Sequence, residues 1–171
     1  MDAIKFLKQE HKRINGLIDD LHKTTERAKL TRLKLLAEIT EQLDVHSQIE
    51  EEIFYPEFNR VAKKREHRIL RQEAEEEHAI VDRLLREMRS SDVETEGFSA
   101  KAKVLKDLVE HHVEEEEKQM LPMAKRLMSP GLLRELGERM QQRKEEIEDT
   151  IAVNALVAAT RDDAIAAKRV Q

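Results

Sequence analysis

No cysteine occurs among the 171 residues, which excludes disulfides, thiolate metal sites and redox thiols and fits a reducing compartment. Glycine and proline are scarce, at four and three, so little interrupts the backbone, and the abundant Ala, Leu, Glu, Lys and Arg are strong helix formers. Aromatic residues make up only 3%. Neither an aromatic-lined pocket nor a Gly-rich loop for a large organic substrate is visible. A dominant charge of one sign is also missing: the net charge is -5 from 31 basic and 36 acidic residues. Single-sign runs such as Lys63-Lys64-Arg65 are short, so nucleic acid is not an expected partner. No apolar run reaches about 18 residues, and Met1 leads straight into a charged amphipathic segment. Neither membrane spanning nor secretion is expected, and the expected location is cytoplasmic. What remains is an all-helical chain, long enough to bury a real core.

Helical periodicity divides the chain into four segments and an extension. The first runs about 3–26 with Ile4, Leu7, His11, Ile14, Leu17, Ile18 and Leu21 at 3/4 spacing. The second starts near Thr31 and carries Leu36, Ile39, Leu43, His46, Glu50 and Phe54. Pro56 then ends it or begins another turn, because proline lacks an N–H and suits a first turn. The third spans about 65–89, with Ile69, Ala74, His78, Val81, Leu85 and Met88 inward. A polar loop over 90–99 precedes the fourth, about 100–120, with Val104, Leu105, Leu108, His112 and Glu116 on one face. Short connections predict antiparallel neighbours, hence an up-down-up-down four-helix bundle over residues 1–128. An additional C-terminal helical segment, 129–171, begins after Ser129-Pro130-Gly131. Its stripe of Leu133, Leu136, Met140, Ile147 and Ile151 suits packing on the bundle or on another subunit. Its Ala-rich end, 152–171, reads equally as a swapped helix, a frayed end or a helix forming a homodimer.

The chain states one pattern twice. His11, His46, Glu50 and Pro56 are answered by His78, His112, Glu116 and Pro122, at offsets of 67, 66, 66 and 66 residues. Glu10-His11 is matched by Glu77-His78, and Leu17 by Leu84. Residues four apart share a helix face, so His46 with Glu50, and His112 with Glu116, point into the same core. His11 and His78 come from the other two helices. A single His-x-x-x-Glu match carries no weight here, since His22 to Glu26 and His111 to Glu115 also match; both are expected as surface pairs, and His67 is expected to face solvent. A lone inward His is ordinarily a hydrogen-bonded core residue. Four His and two Glu at core positions in register are another matter, because burying them without a cation is costly. The expected arrangement is a dinuclear metal site, with His11 and His46 on one ion, His78 and His112 on the other, and Glu50 and Glu116 bridging. Spacing alone leaves the pairing of the histidines open. Nitrogen and oxygen ligation suits Fe, Mn and Zn alike.

These six residues and the paired prolines resemble the hemerythrin-like family, the HHE cation-binding domains, over about residues 1–128. The resemblance implies a four-helix bundle holding two iron ions bridged by carboxylates and an oxo or hydroxo group. One position departs from the oxygen-carrying members. They hold a second histidine one turn before the third-helix ligand, where this chain has Ala74; Glu75 is close but on another azimuth. The methyl group cannot ligate, so one metal is short of a ligand. Tyr55 is either a phenolate donor to that metal or a half-buried aromatic with its hydroxyl in solvent.

With two Fe(III) ions, an oxo bridge and two carboxylates the centre keeps a charge of about +2, against about zero for the carboxylate-rich ferritin-like type. That favours small ligands: oxygen, peroxide, superoxide or nitric oxide. The leading expectation is a di-iron protein that reacts with oxygen species, decomposing hydrogen peroxide in a catalase-like way or handling nitric oxide. Two alternatives belong to other classes: an iron- or oxygen-sensing module acting through a partner, and iron storage or donation.

Overall fold

The computed structural model describes residues 1–168, with side chains through residue 159. Among these residues there is no strand. The helices are α1 (Ala3–His22), α2 (Lys29–Ile49), α3 (Tyr55–Val61), α4 (Arg65–Arg89), α5 (Glu96–Glu115), α6 (Leu121–Leu127) and α7 (Pro130–Lys168). A π-helical turn, Glu50–Phe54, joins α2 to α3, and a second, Glu116–Met120, joins α5 to α6. Each pair therefore acts as one long rod. These two rods with α1 and α4 form the four-helix bundle, α1 against α2, α2 against α4, α4 against α5, and α5 closing onto α1.

The core falls into two apolar clusters. One includes Phe6, Leu7, Ile49, Phe54, Phe58 and Met120; the other includes Ile14, Ile18, Ile39, Leu85, Phe98 and Leu105. Along every bundle helix the change from one cluster to the other passes through a candidate ligand: His11, His46 and Glu50, His78, or His112 and Glu116. A polar layer thus lies between two dry ends.

The π turns answer the prolines. A helical proline clashes with the carbonyl four residues back and has no N–H to give it. Widening one turn absorbs the misfit: Tyr55 N bonds Glu50 O, and Leu121 N bonds Glu116 O, just before Pro56 and Pro122. Pro56 therefore begins another turn of helix.

Several boundaries differ from the periodicity. α1 stops at His22, because Thr24 donates its hydroxyl to Leu21 O at 2.6 Å and turns the chain. α5 starts at Glu96, because Thr95 caps it, its Oγ1 accepting from Phe98 N at 3.2 Å. Ile69 and Val104 are 43% and 50% exposed instead of inward. Ile69 lies five residues from Ala74, roughly 140° round the helix, and Val104 is roughly 100° from Leu105. His67 also departs from expectation: its side chain is only 12% exposed and lies over Phe58, ring centroids 6.5 Å apart.

α7 starts at Pro130, with Ser129 Oγ accepting from Leu132 N at 3.2 Å. It continues far past residue 151, and the last three residues of the chain lie outside the described ones. Leu133, Leu136, Met140 and Ile147 are buried in the first apolar cluster. Gly137 sets how closely α7 approaches α1, since a Cβ there would come 2.2 Å from Met1 O and 2.7 Å from Asp2 C. Backbone atoms cannot rotate aside. Gly137→Ala is expected to lower the melting temperature by the equivalent of about 1–3 kcal/mol of overpacking, even though alanine favours helix by about 1 kcal/mol. An unchanged or higher melting temperature would mean that α7 is not held at this contact.

Candidate metal centre

All six side chains predicted from the repeat converge in the polar layer. His11, His46, Glu50, His112 and Glu116 are each 5% exposed or less, and the His78 side chain is 10% exposed. Ligand atoms of His11, His46, Glu50 and Glu116 lie within 4.8 Å of one another, and those of Glu50, His78 and His112 do likewise. Glu50 belongs to both groups. His11 Nε2 is 3.2 Å from Glu116 Oε2 and 3.9 Å from Glu50 Oε1. Both His46 Nε2 and His78 Nε2 stand 3.3 Å from Glu50 Oε2. The rings pair as His11 with His46, centroids 5.1 Å apart, and His78 with His112, 4.7 Å apart.

His78 Nε2 and His112 Nε2 pair at 3.2 Å, but at the His11 and His46 end proximity is not hydrogen bonding. His11 Nε2, both nitrogens of His46, Glu50 Oε1 and Glu116 Oε2 are buried and make no hydrogen bond. Each such buried atom left without a partner costs about 1–3 kcal/mol. A cation held among them removes that penalty, and the donor set of imidazole and carboxylate suits a first-row transition metal.

Three carboxylates outside the layer were not foreseen. Glu117 Oε1 is 3.0 Å from His11 Nδ1, Glu51 Oε1 is 2.9 Å from His78 Nδ1, and Glu77 Oε2 is 2.9 Å from His112 Nδ1. An acceptor on Nδ1–H leaves Nε2 as the lone-pair nitrogen facing inward and raises its donor strength. The sequence signal was each acid's place directly beside a candidate ligand, but among 36 acidic residues it did not stand out.

Tyr55 is 1% exposed, so its hydroxyl does not reach solvent. It donates to Glu116 Oε1 at 2.8 Å and lies 3.3 Å from Glu50 Oε2. Five residues along an α-helix are roughly 140° apart; the π turn brings Tyr55 back over Glu50. Its repeat mate is Leu121, buried and without a polar group. Ala74 is buried in the apolar cluster, while Glu75 turns away to pair with Arg71. His111 is exposed beside Glu77 and Glu115, at 3.5 and 4.0 Å. His22 is exposed too, but Glu26 pairs with Arg32 and accepts from Ser99.

The charges are strongly coupled. Burial would lower the His11 pKa, yet the carboxylates of Glu116 and Glu50 raise it to about 10. His78 is likewise raised to about 10, burial being outweighed by Glu50 and Glu51. Burial pushes His46 down to about 3. Burial opposes ionisation of Glu50, but His46, His11 and His78 hold it well below the usual carboxylate range. Burial and the charge of Glu50 raise Glu116. Burial and both carboxylates push the Tyr55 phenol well up, so it stays protonated.

Two spaces reach the layer. A small cavity of about 20 Å³ is lined by Leu43, His46, His78, Val81, Val109 and His112, among others. An open groove of about 560 Å³ runs outside it past Asp44, Glu51, Glu75, His78 and Asp82. Among the described residues no helix is long and apolar enough to cross a membrane.

Comparison with known proteins agrees with this geometry. The family model of the hemerythrin HHE cation-binding domain matches residues 2–124, and the chain belongs to that family. It is 26% identical over 148 residues to the Mycobacterium tuberculosis H37Rv protein Rv2633c, covering 86% of this chain and 88% of the relative. The Mycobacterium bovis protein Mb2666c matches to the same extent. The crystal structure of a hemerythrin HHE cation-binding domain-containing protein, the Rv2633c homologue from Mycobacterium kansasii, superposes with a TM-score of 0.76 at 27% identity, covering 88% of this chain and 89% of that one. The protein is a metal-binding hemerythrin-like bundle.

Proposed function

We propose that the chain binds two iron ions and decomposes hydrogen peroxide. The observation that carries this reading is the set of buried, unpartnered atoms of His11, His46, Glu50 and Glu116, joined through Glu50 to a second group with His78 and His112, whose Nε2 atoms face each other at 3.2 Å. His11 and His46 would hold one ion and His78 and His112 the other, with Glu50 and Glu116 spanning both. When bound, two irons supply a two-electron store, so that two peroxides become dioxygen and two waters without any external reductant.

The residues around the layer favour small uncharged molecules. The groove carries Asp44, Glu51, Glu75 and Asp82, which repel superoxide and other anions but let peroxide, oxygen or nitric oxide pass. The cavity within holds about one water-sized molecule. Tyr55 donates its hydroxyl to Glu116 Oε1 and so orients that carboxylate. Ala74, one turn before His78, is packed in the apolar cluster and offers no donor atom to the centre. Val153 and Leu156, 58% and 67% exposed on the outer part of α7, are the features on which a homodimer through this helix rests.

Metal analysis, the optical spectrum and oxygen evolution from peroxide test the reading together. Two irons per chain and chelator-sensitive oxygen release are expected; iron-loaded protein that leaves peroxide intact would overturn the activity. Ala74→His would add an imidazole one turn before His78, at a packing cost of roughly 1–3 kcal/mol. That variant should keep its iron and release oxygen more slowly.

Metal uptake should also release protons. Ligation needs neutral imidazole, whereas free His titrates at about 6.5 and His11 and His78 stay protonated up to about 10 in the metal-free protein. Stability from these two raised groups is fully present below the free value and lost as pH rises through about 10. Metal affinity runs the other way, rising with pH across that window. Calorimetric titration in buffers of different ionisation heat counts the protons, and finding none released would contradict this.

A further inference from the structure

The two halves of the centre are related by the internal repeat, yet they are not supported alike. His11 Nδ1 meets Glu117 at 3.0 Å, and its repeat mate His78 Nδ1 meets Glu51 at 2.9 Å. Glu117 and Glu51 are themselves mates, 66 residues apart. His112 Nδ1 meets Glu77 at 2.9 Å. The mates of this last pair are His46 and Glu10. Here the pattern breaks: His46 Nδ1 is buried with no hydrogen bond, and Glu10 accepts from Lys144 Nζ at 2.6 Å.

Lys144 belongs to α7, which has no counterpart in the second half. The side chains of Lys144 and Glu10 are 10% and 11% exposed, so the pair is shielded from water. Its position is held from two sides. Gly137, two turns earlier on the same face, seats α7 on the start of α1. Arg143 grips Glu52 with Nε at 2.7 Å and Nη2 at 3.1 Å. The surfaces differ to match. Val45 and Ile49 are buried in the cluster that takes in Leu136 and Met140 of α7, whereas their mates, His111 and Glu115, lie on an open face, with the His111 side chain 59% exposed.

We propose that Lys144 is a positioning residue that withholds Glu10 from His46 and thereby makes the two metal positions inequivalent. A carboxylate on Nδ1–H strengthens a histidine as a donor and fixes its orientation. His46 lacks one, so the ion held by His11 and His46 is the more weakly bound and the more electron-poor of the two. α7 then controls the chemistry of a centre to which it contributes no ligand. This rests on the two-metal reading above.

Zinc, which is diamagnetic, allows a test by nitrogen NMR of the histidine rings. The wild-type protein loaded with two Zn²⁺ should show low-field, exchange-protected Nδ1–H signals from His11, His78 and His112, and none from His46. Its binding isotherm should have two unequal steps. Lys144→Met should free Glu10, add the fourth low-field signal and bring the steps together. Lys144→Arg should keep the wild-type pattern, and Lys144→Met with Glu10→Leu, which has no acceptor for Nδ1–H, should return to it, which loss of packing alone would not do. Four low-field signals in the wild type overturn the proposal without recourse to a variant that must fold, and so does an unchanged pattern in Lys144→Met. Failure to bind two Zn²⁺ overturns the two-metal reading and this inference together, whereas two equivalent bound ions overturn the inference alone.

Discussion

Glu50→Ala and Glu116→Ala should each strip most of the metal from the protein, while Glu26→Ala and Glu115→Ala strip none. Glu50 is fully buried and supplies oxygen to both groups of converging ligand atoms. Its Oε2 lies 3.3 Å from His46 Nε2 and also 3.3 Å from His78 Nε2. Glu116 reaches His11 at 3.2 Å with one oxygen and accepts from Tyr55 with the other. Glu116 Oε2 also stands 3.9 Å from His112 Nε2, so on the proposed two-ion reading the loss of either carboxylate weakens both positions. The deficit should exceed the roughly 10–100-fold in affinity that follows loss of an outer-shell partner. On the same reading any single histidine would serve one ion, so its loss should be less complete. Glu115 faces the surface pair with His111, and Glu26 belongs to the far end of the bundle. Metal content after desalting, measured on all four variants, decides the matter. Equal losses in all four, or one ion per chain in the parent, would defeat the bridging assignment.

Arg32→Ala should produce a large loss of stability and leave metal content unchanged. Arg32 is 1% exposed, the largest fully buried side chain among the described residues. It donates to Thr24 Oγ1 at 2.9 Å, Thr24 O at 3.0 Å, Val93 O at 2.6 Å and Ser99 Oγ at 2.8 Å. Glu26 lies 3.7 Å away as its counter-charge, and the guanidinium stands 5.2 Å over the Phe98 ring. One fork thus ties the α1–α2 turn to the α4–α5 loop. Removing it leaves the buried Val93 carbonyl without a donor and breaks three further bonds to the charged fork, at a cost of about 3–5 kcal/mol in lost hydrogen bonds and an unmet acceptor, a large share of a typical total of about 5–15 kcal/mol. In a chain of this size that amounts to a melting temperature lower by roughly 10 °C. Arg32→Lys should recover little, because an ammonium cannot reproduce the planar fork. Calorimetry of the metal-free variant gives the answer; a shift under about 2 °C would mean that the loops are held by other contacts.

What the sequence by itself determined is what repeats along a helix. The 3/4 spacing of Leu, Ile and Val defines four amphipathic segments, and spacing of four places His46 with Glu50 and His112 with Glu116 on inward faces. The duplication then puts His11, His46, His78 and His112 at one depth in the bundle. These relations are local, and helical geometry carries them without knowledge of neighbours. Pro56 and Pro122 were legible as helix interruptions. That they produce π turns, and that the first of these swings Tyr55 over Glu50, depends on how the widened turn packs.

Tertiary structure alone decided which groups meet across helices. Glu117 serves His11, Glu51 serves His78 and Glu77 serves His112, each on a helix other than its own. Arg32 reads in the chain as one more basic residue, and its burial follows from two loops closing over it. Lys144 and Glu10 are 134 residues apart. Periodicity describes the face of a single helix, whereas the partner of a charge is set by where another helix comes to lie, and with acid and base so abundant every pairing satisfied the sequence equally well.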